Sequence, residues 1–181
     1  MIFSETKLQG SFVLDLEKKE DKRGFFSRTY CEKEFETNGL ISHFVQGNMS
    51  NNISKNTLRG MHYQTDGAEE VKLVRCTKGA LLDVILDIRK ESLTFGQYFM
   101  IELTEENGKQ LYIPKGFAHG FLTLKDNTEI TYLVSEFYTP GKERGIRWDD
   151  PFFNINWPTK NPILSDKDST YANYKKEQHI Y

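Results

Sequence analysis

The segment LRGMHYQ at residues 58–64 sets Arg59 and His62 into a stretch whose other residues suit a β-strand. An imidazole titrates near neutrality, which suits a general base, and a guanidinium fork matches the geometry of a phosphate. The bland alternative for one strand histidine is a hydrogen-bonded structural residue. Gly60 between the two polar residues permits close approach of a ligand or another backbone. A second histidine, His119, sits in the Pro/Gly-framed segment IPKGFAHGF at 113–121. Lys72, within VKLVRC, is either a solvated lysine on a strand face or a cation aimed at charge developing in a dry cavity. Tyr132 and Tyr138, in TEITYLVSEFYTP, suit core or rim aromatics, or a proton donor and a stacking platform. Asp168, in LSDKDS, suits a turn or helix cap. Spacing by itself leaves each of these choices open.

Metal chemistry is disfavoured. Of the histidines His43, His62, His119 and His179, no two stand at i and i+2 or i and i+4, and Cys31 and Cys76 are not paired in sequence. A dedicated zinc or iron site needs three or four converging ligands, so it would require carboxylates around His62 and His119.

The elements that must position these residues are short strands broken by turns. Leu82, Val84, Leu86 and Ile88 alternate with Asp83, Ile85, Asp87 and Arg89, which predicts a half-buried strand. Asn107-Gly108 between FGQYFMIEL and KQLYIP predicts a hairpin, and Lys125–Asn127 (KDN) between FLTL and TEITYLV predicts a similar one. Further strands are expected in GSFVLDL, RGFFSRTY and VKLVRCT, with short helices at Cys31–Asn38 and beyond Pro162. The polar tail from Tyr171 to Tyr181 is expected to be loosely held. Regular turns without a βαβ rhythm argue for an all-β antiparallel sandwich or barrel with a few short helices. No repeat or composition break divides the 181 residues, so one domain over 1–181 is expected.

Composition narrows the partners. A formal net charge of -2 supplies no field for nucleic acid or an acidic membrane, so a bound anion must be held by a local basic cluster. Two cysteines fit a reducing compartment, and neither a signal-peptide core nor a bilayer-length apolar run is present. A cytoplasmic location without membrane attachment is the expectation.

The segments RGFF, FVQ-x-N, LRGMHYQ, KLVRC, DIRKESLTFGQY, LYIPKGFAHGF, RGIRWDDP and LSDKD, in order from about Arg23 to Asp168, resemble the dTDP-4-dehydrorhamnose 3,5-epimerases. The resemblance implies a cupin-type antiparallel jelly roll, a homodimer, and a reaction that uses neither metal nor organic cofactor. It implies epimerisation at C3 and C5 of a nucleotide-linked 4-keto-6-deoxyhexose in deoxysugar and cell-surface polysaccharide biosynthesis. His62 would then be the base, Asp168 its carboxylate partner, Tyr132 the acid on the far face and Lys72 the enolate-stabilising cation. His119 would line the sugar pocket. Arg59, with Arg23 from the partner subunit's swapped strand, would hold the diphosphate. Tyr138 would stack on the nucleotide base, and Gln46, Asn48, Glu143 and Lys167 would make further contacts.

Two places depart from the family pattern. RGFFSR puts Arg28 where that pattern carries an acid, and QGNMS puts Gly47 and Met49 where it carries an acid and a histidine. Arg28 is counted among the substrate contacts, and its reversed charge raises the alternative of another nucleotide, such as CDP or GDP, or another sugar. The remaining alternatives are a single-carbon epimerase, a non-catalytic sugar-nucleotide-binding cupin and a metal-dependent cupin. One geometric puzzle stands: Arg59 and His62 are three residues apart, so an ideal strand points them to opposite faces unless Gly60 carries a bulge.

Overall fold

In the computed structural model, which describes residues 1–175, the alternating segments form strands β1 (Ile2–Glu5), β2 (Phe12–Asp15), β3 (Lys19–Asp21) and β4 (Gly24–Phe26). Helix α1 (Glu32–Thr37) follows, then β5 (Gln46–Asn52), β6 (Leu58–Gln64), β7 (Lys72–Lys78), β8 (Ala80–Asp87) and β9 (Tyr98–Thr104). The remainder comprises β10 (Gln110–Ile113), β11 (Phe117–Thr123), β12 (Thr128–Val134), β13 (Glu143–Gly145) and the one-turn helix α2 (Asp166–Ser169). One sheet runs β1-β2-β10-β7-β12-β5 and a second runs β13-β6-β11-β8-β9, while β3 and β4 pair only with each other. Every strand pair is antiparallel. This is the all-β jelly-roll arrangement expected, with few helices.

The core lies between the facing sheets. Val74, Cys76, Leu111 and Ile130 from the six-stranded sheet meet Leu81, Ile85, Leu103, Phe117 and Phe121 from the five-stranded one. The outer face of each sheet is also covered. Phe35 of α1 packs with Leu14, Leu73 and Tyr112 on one, its ring edge-on to Phe3 at 5.3 Å. Ile146, Phe153, Ile155 and Trp157 cover Met61, Val84, Leu86 and Ala118 on the other. Burying each such large apolar side chain stabilises the fold by roughly 2–3 kcal/mol before conformational entropy is subtracted.

That second cover corrects the expectation for β8. Its Leu81 and Ile85 face the sandwich interior while Val84 and Leu86 face the C-terminal segment, so the strand is buried on both sides rather than half-buried. Its two aspartates are buried with it. Asp87 accepts hydrogen bonds from Arg89, Ser92 and Thr94, which hold its carboxyl below the usual carboxylate range despite the opposing effect of burial.

Neither predicted hairpin forms. β9 pairs with β8 and β10 with β2 and β7, so the Asn107-Gly108 turn carries the chain from one sheet to the other. The Lys125–Asn127 turn does the same between β11 and β12. The turn chemistry is present, with Asn107 Oδ1 accepting from the backbone N–H groups of Thr104 and Lys109. It reverses the chain locally, but burial of two faces decides which strands pair. The tail also differs from expectation. Tyr174 packs 4.9 Å from Phe153 and 5.0 Å from Phe152, and Tyr171 packs against His62, so residues 171–174 are held; 176–181, with His179, lie outside the described residues.

Candidate active site

The Arg59–His62 puzzle resolves at Gly60. On β11, His119 pairs with His62 and Phe121 with Arg59, so two steps on β11 oppose three on β6. The extra residue is a bulge that turns both side chains to one side. Only glycine fits there: Gly60 has φ 129°, and a Cβ would lie 2.5 Å from the Gly120 Cα and 2.8 Å from the His119 carbonyl oxygen. Arg59 and His62 consequently line a common cavity of about 450 Å³ with Ser50, Lys72, His119, Phe121 and Tyr132.

A second cavity of about 370 Å³ shares His62, Lys72 and Tyr132 with the first and adds Gln46, Asn48, Glu70, Tyr138 and Glu143. Through these three shared residues the two form halves of one cleft between the sheets. His62 stands on the five-stranded sheet, while Lys72 on β7 and Tyr132 on β12 stand on the six-stranded sheet. An imidazole therefore confronts a phenol and an ammonium across the gap.

Each group has a specific environment. His62 Nε2 is 2.5 Å from Asp168 Oδ1, and the Asp168 side chain is only 4% exposed. Burial opposes the Asp168 charge, but the hydrogen bond and electrostatic influence of His62, with a further bond from the Ser165 hydroxyl, leave its carboxyl below the usual range. With Nε2 engaged, Nδ1 is the ring nitrogen left to take a proton. α2 delivers Asp168: Ser165 caps it by accepting from the Asp168 backbone N–H at 3.1 Å. So the cap reading and the partner reading of this aspartate hold together, the cap through its backbone and the partnership through its carboxylate.

Lys72 is not a solvated lysine. Its ammonium is 3.1 Å from Glu70, with both side chains about one-tenth exposed. Burial raises the Tyr132 phenol above its ordinary value, and the Glu70 charge raises it further, so it carries its proton at neutral pH. His119 donates through Nε2 to Asp83 Oδ1 at 2.6 Å. Arg59 donates through Nε to Asn52 Oδ1, which holds its fork at the rim. Gln46 donates to Asn48, Tyr138 is exposed at the mouth, and Lys167 pairs with Glu143 beside it.

Two of the expected contacts lie elsewhere in this chain. Arg23 projects from the β3–β4 hairpin and pairs with Asp21 at 2.6 Å, and Arg28 pairs with Glu34 of α1 at 2.7 Å; neither lines the cleft. His43 is exposed and also lies outside it. Conversely, sequence reasoning missed Glu70, Asp83 and Tyr171. The carboxylate two residues before Lys72 and the acid interrupting an apolar strand were signals for the first two. Among the described residues, no group of three or more His, Cys, Asp or Glu is arranged to hold a metal.

The family model described as dTDP-4-dehydrorhamnose 3,5-epimerase matches residues 5–176. The chain belongs to this family of isomerases. The dTDP-4-dehydrorhamnose 3,5-epimerase of Shigella flexneri is 49% identical over 149 residues, which is 82% of each chain. The crystal structure of the dTDP-4-dehydrorhamnose 3,5-epimerase from Elizabethkingia anophelis NUHP1 matches with a TM-score of 0.94 at 37% identity, over 99% of both chains. A dTDP-6-deoxy-D-glucose-3,5-epimerase from Legionella pneumophila Philadelphia 1, in complex with dTDP-4-keto-L-rhamnose, matches with a TM-score of 0.89 at 37% identity, over 94% of this chain and 90% of that one. The jelly roll described above is thus the cupin-type fold of the epimerase family.

Proposed function

We propose that this epimerase family member converts dTDP-4-dehydro-6-deoxy-D-glucose to dTDP-4-dehydro-L-rhamnose by inverting C3 and C5. The observation that carries the proposal is the placement of His62 on one sheet and of Tyr132 and Lys72 on the other, around a single cleft. C3 and C5 flank the C4 ketone, so loss of either proton leaves its electron pair delocalised onto the ketone oxygen. His62 Nδ1 takes the proton, and Asp168 stabilises the imidazolium that forms. The Lys72 ammonium stabilises the enolate oxygen. Tyr132, kept protonated by its surroundings, returns a proton to the opposite face of the carbon. The electrons then return from oxygen to carbon and the configuration is inverted.

His119 lines the sugar end of the cleft, and Arg59 takes the diphosphate. Tyr138 stacks on the base, with Gln46, Asn48, Glu143 and Lys167 around it. Arg23 joins the diphosphate from the partner subunit of a homodimer, and Arg28 comes from the same swapped segment. Supporting this, the β3–β4 hairpin pairs with no other strand among the described residues and exposes Phe25 by 56% and Phe26 by 71%. The chain acts as a single domain in the cytoplasm, which its two unpaired cysteines suit and where no described helix is long and apolar enough to cross a membrane.

Incubation with the keto sugar nucleotide in D2O, followed by NMR, tests the proposal. Deuterium is expected at both C3 and C5 with inverted configuration. Exchange at one carbon alone identifies a single-site epimerase, and normal exchange by His62→Ala refutes the base assignment. Met49, 66% exposed and lining the half of the cleft that holds Arg59 and His119, favours one second reading, in which the sugar nucleotide differs from the dTDP-linked one. Titration with dTDP, CDP, UDP and GDP decides it, a clear dTDP preference removing that reading.

A further inference from the structure

We propose that Tyr171 is a positioning residue for the His62–Asp168 pair, clamping the imidazole from behind and keeping water off the buried carboxylate. Tyr171 follows Asp168 by three residues, so the segment that delivers the carboxylate also delivers its cover. The two rings meet edge to face, with centroids 6.0 Å apart and planes at 70°. Tyr171 lines neither half of the cleft, so its ring stands behind the imidazole rather than in the cavity wall.

What holds the ring there is a glycine. Gly145 on β13 pairs with His62 on β6, and a Cβ built on Gly145 would fall within the Tyr171 ring. Gly145 does not have a positive φ, so its backbone accepts alanine and only the ring demands glycine. Behind Tyr171 the chain is fastened by Tyr174, whose backbone N–H donates to Asp150 and whose ring packs on Phe152 and Phe153. The Tyr171 hydroxyl is buried beside the Lys167 ammonium, away from the imidazole that the ring meets. The ring makes the contact with His62, so the ring is the working part. A base displaced by about 1 Å loses on the order of 100-fold in rate, which gives this contact its leverage.

Resting as it does on the roles proposed for His62 and Asp168, the inference is tested with variants of the intact chain acting on dTDP-4-dehydro-6-deoxy-D-glucose in D2O. Tyr171→Ala is expected to lower kcat for exchange by about 10- to 100-fold with KM within twofold. Tyr171→Phe is expected to behave as the parent. Gly145→Ala is expected to reproduce the Tyr171→Ala loss, and to cost nothing further in the Tyr171→Ala background. Should Tyr171→Ala fail to fold, Tyr171→Leu is read by the same criteria. A kcat within twofold of the parent for Tyr171→Ala and Gly145→Ala, additive losses in the double variant, or an effect confined to KM would overturn the inference. His62→Ala in the same assay separates the two levels. If it is inactive while the Tyr171 variants are normal, only this inference fails; if it retains exchange, the base assignment fails instead.

Discussion

Asp168→Asn isolates what a buried carboxylate contributes to a neighbouring base. The carboxylate sits 2.5 Å from His62 Nε2 with its side chain 4% exposed, so the contact is charge-assisted and shielded from water. Such hydrogen bonds contribute about 1.5–3 kcal/mol. The neutral imidazole of the ground state gains less from the charge than the imidazolium formed as the proton leaves carbon, so the difference falls on kcat. At about 1.4 kcal/mol per decade, the expected loss is roughly 10- to 150-fold in kcat. KM should stay within threefold, because Asp168 lines neither cavity. The assay is the initial rate of deuterium entry at C3 and C5, over a range of substrate concentration. A kcat within twofold of the parent, or a loss carried by KM, refutes the electrostatic role. The same variant makes a second, signed prediction about stability. A carboxyl whose folded value is lowered stabilises the fold where the unfolded chain's carboxyl is ionised, and loses that contribution as pH falls through the folded value. The parent should be the more stable protein at neutral pH, and the gap in chemical denaturation should shrink below about pH 4.

Three further outcomes follow from particular contacts. Gly60→Ala forces a Cβ to 2.5 Å from the Gly120 Cα at a φ that alanine avoids, so it should cost roughly 3 kcal/mol or more and lower Tm by about 10 °C; a melting curve within 2 °C of the parent would show that the bulge yields cheaply. Tyr132→Phe keeps the ring and removes the proton donor, so deuterium exchange should persist while inversion falls by about 100-fold or more; equal losses of both, read by NMR of the recovered sugar, would contradict a donor role. Lys72→Ala should lower kcat by about 100- to 1000-fold while dTDP affinity, measured by calorimetry, changes little. A loss confined to dTDP affinity would move Lys72 to the nucleotide.

Local features were legible because their causes are local. LRGMHYQ forms β6 with the predicted bounds, CEKEFETN contains α1, and VKLVRCT forms β7, each from propensity and alternation within a few residues. Gly60 was recognisable as a place of close approach, since only the residue type was needed. The residue types and order of the segments sufficed for the family. Pairing was another matter. Asn107-Gly108 encodes a reversal wherever it occurs, but which sheet receives the next strand depends on burying both faces of β8, a property of the whole sandwich. The same holds for the cleft. His119 beside Asp83, and Tyr171 behind His62, join residues whose separation along the chain carries no distance information. Sequence determined which groups were available for proton transfer. Only the folded sandwich, by setting two sheets face to face and bulging one strand at a glycine, decided that they share a cavity.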